Sequence, residues 1–145
     1  MRRTIKSLLT LVTVAVFSAC SDSSGPNGGG VVGSYALITI NGLGLPVVIY
    51  SDQLVTYQIN SGDLILNSNN TFSTTGSYTE TLTGAQPTTV TDTCTGTYTV
   101  SGNTVTFNEA TSTTGTCGGV YNATWDGSNS LTVAFDVTVQ AVFQK

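Results

Sequence analysis

The sequence predicts an all-β domain, an antiparallel up-and-down β-barrel of about eight strands, with a β-sandwich as the alternative. Three observations carry this expectation. From Val31 onward apolar residues alternate with period two, and Gly and Thr interrupt every window that could hold a helical spacing. Turn-forming runs separate the alternating stretches, as at Asn67–Thr71, Gly102–Asn103 and Asp126–Ser130. Low charge signals disorder only when apolar residues are also scarce, and here β-branched and aromatic residues are abundant.

In chain order, the first stretch is Met1–Cys20, MRRTIKSLLTLVTVAVFSAC. Arg2, Arg3 and Lys6 precede an apolar run, Leu8–Phe17, broken only by Thr10 and Thr13. That run is about half of the ~20 residues a membrane-spanning helix needs. A basic head, a short apolar stretch and the small residues Ser18 and Ala19 form the pattern of a cleaved secretory signal. The closing Phe-Ser-Ala-Cys resembles a bacterial lipobox, with Phe17 where the consensus prefers an aliphatic residue. The resemblance implies that residues 1–19 are a removed signal peptide and that Cys20 is acylated. The lipid bilayer then becomes a partner, and the protein sits anchored in the cell envelope. Ser21, not Asp, follows the cysteine, which favours the outer membrane. Ordinary secretory cleavage after Ala19 is the alternative.

Residues 20–30 join the lipidated cysteine to SDSSGPNGGG, a Ser/Gly/Pro/Asn run without periodicity that reads as a flexible tether. Residues 31–145 form a single domain of a size that suits one core.

Within it, Ser34–Ile40, Val47–Ser51 and Val55–Asn60 read as strands. A hairpin over Asp63–Tyr78 centres on Asn69 and pairs Leu66 with Phe72. Gly84–Thr89, with Pro87, reads as a loop. A second hairpin over Thr93–Glu109 turns at Gly102-Asn103, a favoured two-residue turn. It pairs Val100 with Val105 and Tyr98 with Phe107, leaves Thr97, Thr99, Thr104 and Thr106 on the other face, and sets Cys94 opposite Thr111. A third hairpin turns at Ser128 and pairs Trp125 with Leu131, Ala123 with Val133 and Tyr121 with Phe135. Leu131 to Phe143 keeps its odd positions apolar throughout and reads as one long strand with a wet face.

Charge excludes several functions. Once residues 1–19 leave, one lysine, Lys145, stands against eight acidic residues, a net charge of −7. Nucleic-acid binding needs Lys and Arg to neutralise phosphates, so nucleic acid is not an expected partner. Ion-paired recognition of anionic substrates fails for the same reason.

Catalytic chemistry is equally thin. The chain has no His, which removes Ser-His-Asp and Cys-His systems. Asp126 and Asp136 face each other only loosely across the last hairpin and read as surface charges rather than a glycosidase pair. Asp52, Asp63 and the Asn67–Asn70 turn offer oxygens to Ca²⁺ without the spacing of an EF-hand loop. The Gly-rich tether neither follows a strand nor opens a helix, so it is no phosphate loop. No enzyme, no metal site and no cofactor are expected.

Cys94 and Cys117 remain after Cys20 is assigned to lipid. An exported compartment permits a disulfide between them. A reactive thiol or a metal pair is the alternative, and a zinc site lacks its other ligands.

Several motifs then suggest a family. Gly33-Ser34-Tyr35-Ala36-Leu37 is similar to the Gly-x-Trp start of the lipocalin and calycin first strand, with Tyr35 in the Trp position. Gly62-Asp-Leu-Ile-Leu66 followed by Thr71-Phe72 resembles a hairpin of bacterial lipocalin-like lipoproteins. Gly96-Thr-Tyr-Thr-Val100 with Asn103-Thr-Val-Thr-Phe107 resembles another. The resemblance spans roughly Gly33–Phe143. It departs at the family's last-strand Arg over the first-strand Trp, since this domain has no Arg.

The resemblance implies a cavity for a small apolar ligand, lined by aromatic residues. Tyr35, Tyr98, Phe107, Tyr121 and Trp125 are the candidates, and filling of the core is the alternative role for them. Tyr98, Phe107, Tyr121, Trp125, Leu131, Val133 and Phe135 should share one interior. Any cavity should then lie toward the other end, near Tyr35 and the Leu43–Val48 connection. The competing function is a structural or interaction module of the envelope that holds no ligand. A core without a cavity, or exposed apolar positions on an unpaired edge strand, would favour that second function.

Overall fold

The computed structural model describes residues 30–114, 117–135 and 138–145. Cys20, the expected signal peptide, the expected tether up to residue 29 and Asp136 lie outside the described residues. Among those described there is no helix, and so none long and apolar enough to cross a membrane.

Ten strands follow one another: β1 (Gly33–Ile40), β2 (Leu43–Gly44), β3 (Val47–Ser51), β4 (Val55–Leu66), β5 (Thr71–Leu82), β6 (Thr88–Ser101), β7 (Thr104–Ser112), β8 (Gly119–Trp125), β9 (Ser130–Ala134) and β10 (Gln140–Gln144). From β4 to β10 each strand pairs antiparallel with the next, and β10 pairs with β1. The ring closes where Gly33–Ala36 of β1 pairs with Asp63–Leu66 of β4. Eight strands therefore make a closed up-and-down barrel, and β2 and β3 are additions to it. Past Ala36 the seam opens. The second half of β1 pairs with β2, and the first half of β4 pairs with β3.

The hairpin registers follow from burying one apolar face. Leu66 lies opposite Phe72, Tyr98 opposite Phe107, Val100 opposite Val105, Ala123 opposite Val133 and Trp125 opposite Leu131. A one-residue slip in any pair would turn its apolar set to solvent. The outer face carries threonine instead. Thr75 and Thr93 hydroxyls are 3.2 Å apart, Thr95 and Thr111 are 2.6 Å apart, and Thr106 donates to Asn122 at 2.8 Å.

Three expectations need correction. Leu131–Phe143 is not one strand but the hairpin β9–β10, in which Leu131 lies opposite Phe143 and Val133 opposite Ala141. Paired residues there are both odd, so the apolar alternation runs in phase through the bend and hides it. Phe135 consequently leaves the ladder and is 55% exposed at the rim, not in the core. Cys94 lies opposite Ser112, because a bulge between Thr95 and Gly96 shifts the far half of the β6–β7 ladder by one. The expected strands Val55–Asn60 and Asp63–Leu66 are one strand, β4, with an irregularity between Ile59 and Ser61.

Side chains fill one end of the barrel. Phe72 and Phe107 meet edge to face at 4.9 Å between ring centres. Glycine is required opposite them: a Cβ on Gly96 would collide with the Asn108 carbonyl and the Phe72 ring. Beyond this layer, Val31 is fully buried, and the Tyr35 hydroxyl donates to its carbonyl. Trp125 is half-buried beneath Gly30, where an added Cβ would lie 2.6 Å from the indole. The indole Nε1 is buried with no hydrogen-bond partner among the described residues. The Asn67–Asn70, Gly102–Asn103 and Asp126–Asn129 turns surround this closed end.

Candidate functional site

The other end of the barrel holds a cavity of about 530 Å³. Its walls are overwhelmingly apolar. Leu64, Phe107, Val133, Ala141 and Phe143 contribute from the core, and Leu37, Ile40 and Ile59 from the opening seam. Ile49 of β3, Tyr57 of β4, Tyr78 of β5, Tyr121 of β8 and Phe135 after β9 complete the lining toward the mouth. The volume falls in the range of sites that enclose small organic ligands.

Strand parity explains this lining. Phe72, Thr74, Gly76 and Tyr78 share the inward face of β5, and Gly76 supplies no side chain at mid-wall. A Cβ built on Gly76 meets nothing within 4 Å, so the space beside it is open. On β4, the irregularity at Asn60 switches the inward set from Leu64 and Gly62 to Ile59 and Tyr57. Tyr57 lies opposite Glu80, and its hydroxyl donates to that carboxylate at 2.8 Å. The Tyr57 ring also meets Tyr50 and Tyr78, with centres 6.2 and 6.3 Å away.

Three acidic residues border the cavity: Asp92 and Glu109 from the β6–β7 side, and Asp63 of β4, which is exposed and shares the outward parity of Ile65. Glu109 continues the inward parity of Val105 and Phe107. It accepts from the Tyr121 hydroxyl at 3.1 Å and from the Gly118 backbone N–H at 3.0 Å. Burial raises the Tyr121 pKa well above its ordinary value. The Glu109 charge and the hydrogen bond it accepts add to that rise. Tyr121 therefore stays a hydroxyl and a donor. Asp92 continues the parity of Tyr98, Gly96 and Cys94. It accepts from the hydroxyls of Ser112 at 3.1 Å and Thr113 at 2.6 Å, and from the Thr114 N–H at 3.1 Å.

Asp92 and Glu109 thus accept from residues at the facing ends of β7 and β8 and just beyond them, and Thr113 and Cys117 there are tied to β6. Cys94 and Cys117 form a disulfide with Cα atoms 5.8 Å apart. The Thr113 N–H donates to the Thr93 carbonyl at 3.1 Å, and the Thr93 N–H donates to the Thr113 hydroxyl at 3.0 Å. Asp92, Cys94 and Cys117 place their ligand atoms within 4.8 Å of one another, but the disulfide occupies both sulfurs.

Of the five aromatic candidates, Phe107 and Tyr121 line the cavity. Their rings stack at 5.0 Å. Tyr35, Tyr98 and Trp125 sit in the closed end, outside the lining. Tyr35 is 2% exposed, and burial, with smaller contributions from the Asp126 charge and Tyr98, pushes its pKa up to about 12. The Tyr98 hydroxyl donates to the Asn67 carbonyl at 2.7 Å. The cavity lies at the end of the Leu43–Val48 connection, while Tyr35 marks the opposite end.

The oxygen-rich positions do not converge. Asp52 accepts from the Leu54 and Val55 N–H groups in the turn before β4, whereas Asn67 follows the end of β4. Twelve extended residues put roughly 35–40 Å between them. Asp126 accepts from the N–H groups of Ser128, Asn129 and Ser130 and shapes the β8–β9 turn. Sequence reasoning missed Tyr57, Gly76, Tyr78, Asp92 and Glu109. Extending the inward parity of Tyr98 back to Asp92 and of Phe107 forward to Glu109 would have found the two acids.

No protein-family model matches the chain, and neither does any curated protein.

Proposed function

We propose that this is the ligand-binding domain of a membrane-anchored bacterial envelope lipoprotein, lipocalin-like in architecture, and that the barrel cavity takes a small apolar molecule. The observation that carries the reading is the open, apolar volume of about 530 Å³ at one end of an otherwise filled barrel. Burying hydrocarbon there would contribute about 25 cal/mol per Å² removed from water. The chain enters the barrel at Gly30, at the closed end. An acylated Cys20 on a tether of roughly 15–20 Å would then hold the mouth turned away from the bilayer. Lys145, the residue after β10, also supports the lipocalin-like reading, since it sets a cation over the first-strand aromatic, Tyr35, although it is not the family's last-strand Arg.

Gly76→Phe tests the cavity directly, because the new ring enters open space. Wild-type protein should enhance the fluorescence of an environment-sensitive apolar probe such as 1-anilinonaphthalene-8-sulfonamide, and the variant should lose the response while keeping its thermal midpoint. Equal responses from both proteins would overturn the reading.

A second reading has its own support. β3 lies at the margin of the sheet, and Val48, Ile49 and Tyr50 on it are each about half exposed. An apolar margin of this kind suits addition of another chain. Loss of a protein partner on Val48→Lys, with probe binding intact, would favour an interaction module.

A further inference from the structure

Resting on the cavity reading above, we propose that the ligand is an apolar molecule with a positively charged head, of the alkylammonium class. Its hydrocarbon body fills the barrel and its cation sits at the mouth beside Asp92 and Glu109, among the rings of Tyr57, Tyr78 and Tyr121.

The argument is one of charge set against a built apolar volume. Both acids lie on inward-facing positions and line the same cavity as the hydrocarbon walls. Glu109 is oriented by two donors, the Gly118 N–H and the Tyr121 hydroxyl. A carboxylate has about four acceptor sites, so this pair orients it and leaves acceptor capacity for a ligand. Asp92, on β6, is fixed by donors from Thr113 and Thr114, just past the end of β7. From Leu8 to Gln144 the sequence contains no Lys, Arg or His, so the barrel wall offers no positive side chain to a ligand anion. Lys145, the one cation that follows, is at the closed end, where its Nζ donates to the Gly30 carbonyl.

An anionic amphiphile seated in this cavity would bring its head against two like charges that are both partly buried. A neutral one would gain from the walls alone. A cation gains both from the carboxylates and from the aromatic faces around it, which attract ammonium groups. The site therefore selects by head-group charge, while the hydrocarbon walls supply the affinity common to all three.

The experiment measures binding of decyltrimethylammonium, 1-decanol and decanoate to wild-type protein by calorimetry at low salt, below their micelle concentrations. The cation is expected to bind about tenfold or more tightly than the alcohol, with decanoate weakest. The preference should shrink as salt is raised. Glu109→Gln with Asp92→Asn should remove most of the cation's advantage over the alcohol, leaving the part due to the rings, and leave the alcohol unchanged, which also shows that the cavity is intact. Equal binding of all three by wild type, or tighter binding of decanoate, overturns the charge proposal and leaves the apolar cavity standing. Binding of none of the three overturns the cavity reading and this proposal with it.

Discussion

The Tyr121 hydroxyl donates to Glu109 Oε1 at 3.1 Å, joining β8 to β7 where the packed core gives way to the cavity. The bond requires the phenol to keep its proton. Burial, followed by the carboxylate's charge, holds the Tyr121 pKa far above that of a free tyrosine.

This pair has a consequence for alkaline stability. A group whose pKa is raised on folding stabilises the folded state fully below its unfolded pKa, near 10. That contribution is lost as pH rises from there toward the folded value. Tyr35, raised to about 12, acts in the same direction. Tyrosinate absorbance from these two should therefore emerge together with loss of the folded circular dichroism, above about pH 10. Tyr121→Phe should move the unfolding to higher pH. Full ionisation of all six tyrosines near pH 10 in a protein that remains folded would contradict this account.

The disulfide gives a second expectation. Cys94 and Cys117 are 23 residues apart, and closing a loop of that size stabilises by about 3 kcal/mol in the chain-entropy model. Reduction should lower the denaturation midpoint by a matching amount. It should also loosen Gly118, next to Cys117, and with it the backbone donor to Glu109. Hydrogen exchange at Gly118 should rise on reduction more than at Val105 in the core. Unchanged protection at Gly118 would show that its neighbours, not the disulfide, hold it.

Hairpins with a polar turn were legible in the sequence, because turn chemistry and one-face burial fix the same register. Tyr98 opposite Phe107 and Ala123 opposite Val133 are cases in point. The β9–β10 bend was not legible. No Gly, Pro or Asn marks residues 135–139, and pairing of like parities keeps the apolar alternation unbroken across it. The bulges near Gly96 and Asn60 were hidden because one extra residue changes facing without changing composition. The site suffered from a different bias. Asp92 and Glu109 enter the sequence reading only through the net charge, because acidic residues are rarely inside and neither carries a motif. Their strand parity, which pointed inward, was the better guide where the barrel is hollow.

Acid sensitivity should concentrate in the turns. Backbone donors, Ser130 and Ser128 foremost, hold the Asp126 carboxylate below its ordinary pKa. A depressed pKa stabilises the folded state above the unfolded value, near 3.9, and that contribution disappears as pH falls through the folded value. Asp126→Asn should thus flatten the stability profile in that acid range while changing the neutral-pH midpoint little, since an Asn side-chain oxygen can accept the same N–H groups. An identical acid limb in variant and wild type would place the sensitivity elsewhere.

The closed end gives the last expectation. Lys145 Nζ lies 5.1 Å from the centre of the Tyr35 ring and donates to the Gly30 carbonyl at 2.9 Å. A Cβ on Gly33 would come within 2.8 Å of the lysine Cε, so the side chain packs along the incoming chain. The final residue of the sequence thereby pins the start of the domain over Val31 and Trp125. Lys145→Ala should cost about 1 kcal/mol, the scale of an exposed cation–π contact with one hydrogen bond. Lys145→Arg should keep most of it, because a guanidinium can stack on the same ring. Trp125→Ala should cost more, about 3 kcal/mol, since it removes a large half-buried ring from beneath Gly30. Neither change should alter binding of an apolar probe, because both residues lie outside the cavity at the far end of the barrel. Chemical denaturation read by far-ultraviolet circular dichroism, paired with the probe titration, checks both claims. A Trp125→Ala variant that folds normally yet loses the probe would move the ligand to the closed end.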